Sequence, residues 1–294
     1  MRIATRASTL ARWQAERVGA WLGDDVELVF VSTTGDRDQT SELHAIGGQG
    51  VFTKEVQQAV LDGRADLAVH SAKDLPSTTP EGLVLAVVPE RADPRDALVG
   101  RPFADLEPGA AIGTGSVRRR AQLAAARPDL TFGPLRGNIE TRLRKRTELG
   151  YDAVVVAVAA LERLGLAHEI ADVLDPELLM PQVAQGALAV ECRAGDERTL
   201  ARLHAIDSPV AHRCVDAERA FLAELGGGCE LPCGALARAG TDGQLVLEAV
   251  LASLDGHVVL RTRVAGDDPA DVGTTAARDL LDGKGGRALT EVVA

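Results

Sequence analysis

The chain has 294 residues, 46% of them apolar and 26% charged, with a formal net charge of −11. That is an ordinary soluble globular composition, long enough for roughly two to three domains. An acidic chain lacks the broad basic face of a nucleic-acid binder, and no apolar run approaches the length that spans a bilayer. The opening residues MRIATRAST lack the charged-then-apolar pattern of a secretory signal. Cys192, Cys214, Cys229 and Cys233 show no disulfide-framework spacing. A reducing cytoplasm is therefore expected, with no membrane contact.

Taken in order, the chain begins with a short apolar strand over 2–5, and Ser8 or Thr9 can cap a helix reaching residue 22. A β-branched run predicts a strand over 26–32. The polar passage 33–50, with Gly35, Gly47, Gly48 and Gly50, is long enough that a functional loop is expected. Helical spacing returns over 52–61. An apolar strand over 67–69 ends at His70-Ser71-Ala72-Lys73-Asp74, and another strand covers 83–88. Residues 93–96, with Pro94 inside, read as the crossing to a second unit. Strands over 110–113, 131–135 and 153–158, each followed by a helix, predict a parallel sheet covered on both faces. A strand over 188–192 and a helix over 198–206 would return the chain to the first unit. From 211 a long helix precedes strands over 236–239, 245–254 and 258–264. Asp242-Gly243 and Asp255-Gly256 stand between those strands as hairpin turns. A helix over 269–281 closes this small antiparallel unit.

One stretch is strongly cationic. Residues 113–146, GTGSVRRRAQLAAARPDLTFGPLRGNIETRLRKR, hold nine basic and two acidic side chains, a local balance of +7 in a net acidic chain. Thr114 and Ser116 sit in a small-residue turn, and Ser116 is placed to cap the helix that carries Arg118 and Arg119. The arrangement repeats at Arg136-Gly137-Asn138, followed by a helix with Arg142. Helix N-termini and arginines at the carboxyl ends of strands make sites for carboxylate or phosphate, so a ligand with several negative charges is expected. Arg144, Lys145 and Arg146, at a helix C-terminus, read instead as a solvated face.

Two further residues stand out. Asp74 follows a buried strand and is either a catalytic carboxylate or a helix cap, while nearby His70 reads as a hydrogen-bonded structural residue. Cys229 follows three glycines, which place its thiol on a loop; it is a nucleophile if cations lower its pKa, and otherwise an inert thiol. The Cys229/Cys233 spacing alone is a poor zinc signal without a second close pair, and no metal is expected.

Several runs together resemble one family, hydroxymethylbilane synthase (porphobilinogen deaminase): RIATRAST, HSAKDLP, GTGSVRRRAQL, LRGNIETRL, AVAALERLGL, QGALAVECR and GGGCELPCG, in the family's order. The resemblance implies an α/β fold of two periplasmic-binding-protein-like (type II) domains flanking a cleft, plus a C-terminal α+β domain with a small antiparallel sheet. The implied boundaries are 1–94 with 187–207, 95–186, and 208–294. It implies a transferase that joins four porphobilinogen molecules head to tail, releasing ammonia, and hydrolyses the product to hydroxymethylbilane in tetrapyrrole (haem) biosynthesis; a monomer is expected because no coiled-coil pattern or obvious apolar patch argues against one.

The resemblance also assigns residues. Cys229 would carry a dipyrromethane cofactor through a thioether. Asp74, with Lys73 beside it, would be catalytic. Ser8, Lys73, Asp74, Thr114, Ser116, Arg118, Arg119, Arg136 and Gln185 would contact the cofactor. Arg6, Ser8, Phe52, Arg136, Arg142 and Arg163 would contact the substrate. Gln49 and Ala45 stand where lysines are common in the family, Thr34 where some members have arginine, and Gly115 where serine is frequent. The loop 33–50 is accordingly expected to grip substrate carboxylates less strongly. A solute-binding protein could use the same arginines, but it would need no cysteine after three glycines. An acyltransferase reading lacks a general base beside Cys229.

Overall fold

Short runs rich in alanine and branched side chains, separated by polar turns, set the elements. The computed structural model describes residues 1–23, 26–37, 50–227 and 230–291. The chain opens with β1 (Arg2–Thr5), α1 (Thr9–Leu22), β2 (Glu27–Phe30) and the single turn α2 (Thr34–Arg37). Then come α3 (Lys54–Leu61), β3 (Leu67–Ser71) and β4 (Leu83–Val87). The middle of the chain holds β5 (Asp96–Gly100), β6 (Ala111–Gly113), α4 (Val117–Ala126), β7 (Thr131–Gly133), α5 (Ile139–Glu148), β8 (Ala153–Ala157), α6 (Val158–Arg163) and β9 (Ile170–Val173). β10 (Leu188–Arg193), α7 (Glu197–Leu203) and α8 (Pro209–Glu224) lead to β11 (Cys233–Ala239), β12 (Leu245–Ala252) and β13 (Val259–Gly266). α9 (Pro269–Arg278) and α10 (Arg287–Glu291) end the described chain.

These elements form two compact units, Met1–Ala92 with Gly186–Val215, and Asp93–Gln185 with Asp216–Ala294. In the first, one sheet has the order β2-β1-β3-β10-β4. β1 pairs parallel with β2 and β3, while β10 runs antiparallel to both its neighbours. Ile3, Val18, Leu67, Leu188, Val190 and Leu203 fill one face, and Ala4, Val56, Val60 and Ala68 the other. Fully burying such a leucine, isoleucine or valine contributes about 1.5–3 kcal/mol.

The second unit repeats the plan. Its larger sheet has the order β7-β6-β8-β5-β9, in which β6 is parallel to β7 and β8 and β5 is antiparallel to β8 and β9. In each five-stranded sheet four strands thus run the same way, and one reversed strand, β10 or β5, is inserted next to the last. The same unit contains the antiparallel sheet β11-β12-β13, whose hairpin turns hold Gly243 and Gly256 at φ +83° and +79°, the left-handed region that Asp-Gly turns require.

Strand–helix alternation predicted parallel pairing of the strands over 110–113, 131–135 and 153–158, and β6 is parallel to β7 and β8; β5 and β10, whose direction the pattern did not address, run antiparallel to their neighbours. Residues 96–100, read partly as a crossing, are β5, and β9 was not expected. Helix α3 starts at Lys54, so Phe52 and Thr53 lie in the turn before it.

Candidate active site

In the first unit, β1 ends at Thr5 and the chain turns through Arg6 to Ser8. Ser8 is extended, and its hydroxyl accepts a hydrogen bond from the Ala11 amide, capping α1. The Arg6 side chain is held from two directions. Its Nε lies 3.1 and 3.2 Å from the two Asp36 oxygens, and its Nη2 also donates to Asp36. The Phe52 ring stacks beneath its guanidinium, with the centroid 4.3 Å from Cζ. Burial raises the Asp36 pKa, but the Arg6 and Thr33 hydrogen bonds and the Arg6 charge outweigh it, leaving the carboxyl below its ordinary value.

β3 brings the segment that holds Lys73 and Asp74 alongside. It ends at Ser71, whose hydroxyl accepts from Gln14 at 2.8 Å. One 3-10 turn, Ala72–Asp74, follows it. Leu75 is extended, so Asp74 has no succeeding helix to cap. Instead Asp74 lines a recess with Arg6, Ser8, Gln14, Phe52 and His70. His70 is buried, its Nε2 3.2 Å from the buried Glu191 carboxylate, which accepts from Gln57 at 2.9 and 3.2 Å. Lys73 shares the Asp74 turn but does not line the recess.

In the second unit, the end of β6 delivers the expected cap. Thr114 accepts from the Ser116 amide, and Ser116 accepts from the Arg119 amide at the start of α4. The arginines that follow turn inward: Arg118 is 3% and Arg119 6% exposed, and Asp96 between them is fully buried. Arg118 Nη2 and Arg119 Nη2 each donate to one Asp96 oxygen at 2.7 Å. Their Nη1 groups donate to the carbonyls of Met180 and Val155. Gln185 adds a 2.9 Å bond to Asp96. Burial alone would raise the Asp96 pKa, but the charges and hydrogen bonds of Arg119 and Arg118 hold it far below the usual carboxylate range. Burial pushes the Arg118 pKa down, and the Asp96 charge partly offsets this.

The repeat after β7 is built differently. Arg142 Nε donates to the Gly137 carbonyl at 2.8 Å, and Lys145 donates to that of Arg136. Gly137 has φ +120°, which side-chain-bearing residues rarely adopt. Among the described residues, buried Arg136 Nη1, Arg118 Nε and Arg119 Nε have no hydrogen-bond partner. Arg163 is buried at the end of α6.

The structure therefore brings Arg6, Ser8, Phe52 and Asp74 together in one unit. It gathers Arg118, Arg119 and Gln185 around Asp96 in the other, with Arg136 and Arg142 at a separate turn. Cys229, Ala45 and Gln49 lie outside the described residues. Sequence reasoning missed Asp36 and Asp96. The available signal for Asp96 was an acid directly preceding the apolar run Ala97-Leu98-Val99 in a chain with two adjacent turn arginines. No group of three or more potential metal ligands occurs among the described residues.

A family model described as the dipyrromethane cofactor binding domain of porphobilinogen deaminase matches residues 1–201, and one for the porphobilinogen deaminase C-terminal domain matches 212–282. A porphobilinogen deaminase of Roseiflexus castenholzii is 49% identical, with 98% of this chain and 97% of the relative covered. That of Brevibacillus brevis is 41% identical, covering 99% and 97%. Another, from Syntrophotalea carbinolica, is 49% identical over 90% of this chain and 86% of the relative. With both domain models matched and such identity along nearly its whole length, the chain belongs to the porphobilinogen deaminase (hydroxymethylbilane synthase) family.

Proposed function

We propose that the residues described above carry out the family's reaction here. That reaction joins four porphobilinogen molecules head to tail on a dipyrromethane primer, releases ammonia, and hydrolyses the product to hydroxymethylbilane. The observation that carries this reading is the recess that Asp74, Arg6 and Ser8 line together.

Each porphobilinogen bears two carboxylates and one pyrrole N–H, and the chain offers matching groups. Arginine forks bind carboxylates bidentately. Arg6, Arg136, Arg142 and Arg163 take the substrate's acidic side chains in this reading. Arg118, Arg119, Gln185, Thr114 and Ser116, with Ser8 and Lys73, take those of the cofactor, which Cys229 holds as a thioether. The residues fit such a group: buried Arg136 Nη1 is a donor without a protein acceptor among the described residues, and unsatisfied buried donors are costly unless a ligand accepts from them. When bound, the dipyrromethane supplies the pyrrole carbon to which the first substrate is joined.

Asp74 accepts the pyrrole N–H bonds. Loss of ammonia leaves a cationic azafulvene, and a fixed carboxylate in a partly dry recess stabilises that charge as it develops. Lys73, in the same turn, donates to an acidic side chain of the bound chain. Three domains with the boundaries given above, a monomeric state and a cytoplasmic location complete the proposal.

Asp74→Asn tests the reading. Removing one preorganised electrostatic group of this kind costs roughly 10²–10³-fold in kcat, so kcat is expected to collapse while KM for porphobilinogen moves little. Equal losses in binding and turnover would contradict the assignment.

A further inference from the structure

Arg6 is restrained by the segment around α2 more thoroughly than an ordinary half-buried arginine. Asp36 meets its Nε and Nη2. Asp36 is itself fixed by the Thr33 amide at 3.1 Å and the Thr33 hydroxyl at 2.7 Å. The next residue, Thr34, is anchored to α3 through Glu55, which accepts from its amide at 2.8 Å and its hydroxyl at 2.7 Å. The Phe52 ring lies under the guanidinium and so close to Gly35 that no Cβ fits between them. The arginine is thus clamped along one edge and one face, while it lines the recess that also holds Asp74. Among the described residues its Nη1 has no hydrogen-bond partner, and Asp36 does not line the recess.

Taking Arg6, as proposed above, to hold a substrate carboxylate, we propose that Asp36 is its positioning residue. Asp36 engages the Nε–Nη2 side from outside the recess, which leaves the Nη1 end for a porphobilinogen carboxylate. The reason is preorganisation. A free arginine side chain loses much rotamer freedom when it binds a ligand, and one already locked by a fixed carboxylate and a stacked ring does not. The alternative, that Asp36 only neutralises Arg6, has the opposite consequence. Removing a negative charge from beside the guanidinium would then tighten the hold on an anionic substrate.

Steady-state kinetics of the cofactor-loaded enzyme separate these cases. Asp36→Asn is expected to raise KM for porphobilinogen about 5–20-fold with kcat changed less than about 3-fold, the pattern of lost binding shared by ground and transition states. Asp36→Glu is expected to recover part of the loss. In an Arg6→Ala background Asp36→Asn is expected to change KM by less than about 2-fold, because partners in one unit are not additive. Thermal unfolding of Asp36→Asn confirms that the variant is folded. A KM that falls or stays constant in Asp36→Asn would overturn the inference. So would an equal rise in the Arg6→Ala background, which marks a structural role independent of Arg6. An Arg6→Ala enzyme with unaltered KM would instead overturn the reading of Arg6 as a carboxylate holder, and the inference with it.

Discussion

The backbone of Gly234 lies against the side chain of Arg118. A Cβ at Gly234 would stand 3.2 Å from Arg118 Cδ, 2.9 Å from the Met180 carbonyl oxygen, and closer still to that of Pro181. The contact is held by a hydrogen bond from the Ala235 amide to Pro181 at 3.1 Å, and Arg118 donates to the same Met180 carbonyl. The start of β11, which follows Cys229 closely in sequence, is therefore seated on the helix α4 arginine that the family resemblance assigns to the cofactor.

This close approach predicts that Gly234→Ala is destabilising. Two of the three obstructing atoms are backbone oxygens that cannot rotate away, so the overpacking loss is expected at about 1–3 kcal/mol. Urea unfolding measures it. Stability equal to that of the parent would mean that β11 does not rest on Met180 and Pro181.

Asp96 should matter more. It lies between two buried guanidinium groups, and removing a partner from a buried ion pair costs about 3–5 kcal/mol because the remaining charges are stranded. Asp96→Asn keeps the shape and removes the charge. A loss in that range is expected from urea unfolding, and a loss under about 1 kcal/mol would contradict the pairing.

The same carboxylate has a pH signature. Its folded pKa is depressed by Arg119 and Arg118 despite burial, so its stabilisation is fully present above the unfolded value near 3.9 and is lost as pH falls towards the folded one. Asp36, Asp66 and Asp93 are shifted the same way, and stability should fall steeply below about pH 4. Asp96→Asn is expected to remove up to about 1.4 kcal/mol per pH unit from that slope. Urea midpoints from about pH 2.5 to 5 test this. Parallel curves for parent and variant would show that Asp96 is not ionised in the fold.

Much of this was legible in the sequence because it rests on local chemistry. Ser116 reads as an N-cap and is one, since a serine before VRRR in a glycine turn satisfies orphan amides whatever surrounds it. The Asp242-Gly243 and Asp255-Gly256 turns read correctly for the same reason. What escaped depends on distant partners. The acid before the apolar run Ala97-Leu98-Val99 marks Asp96 as unusual, but it does not reveal that Arg118 and Arg119, over twenty residues away, will close on it. Nor does the passage after β2 show that Asp36 will meet Arg6. The arginines were expected to face a ligand, and what the sequence did not show is that the fold also gives Arg118 and Arg119 an internal carboxylate, Asp96. Direction was hidden too: the apolar runs of β5 and β10 mark buried strands, but only the tertiary path decides that they run against their neighbours.

The central claim is that a covalently tethered dipyrromethane on Cys229 primes polymerisation in this chain. Intact-mass measurement of the active protein tests it most directly. The account predicts an added mass of a few hundred daltons, two small linked heterocycles on one sulfur, that is absent from Cys229→Ser together with activity. A fully active protein whose mass equals that of its bare sequence would contradict it.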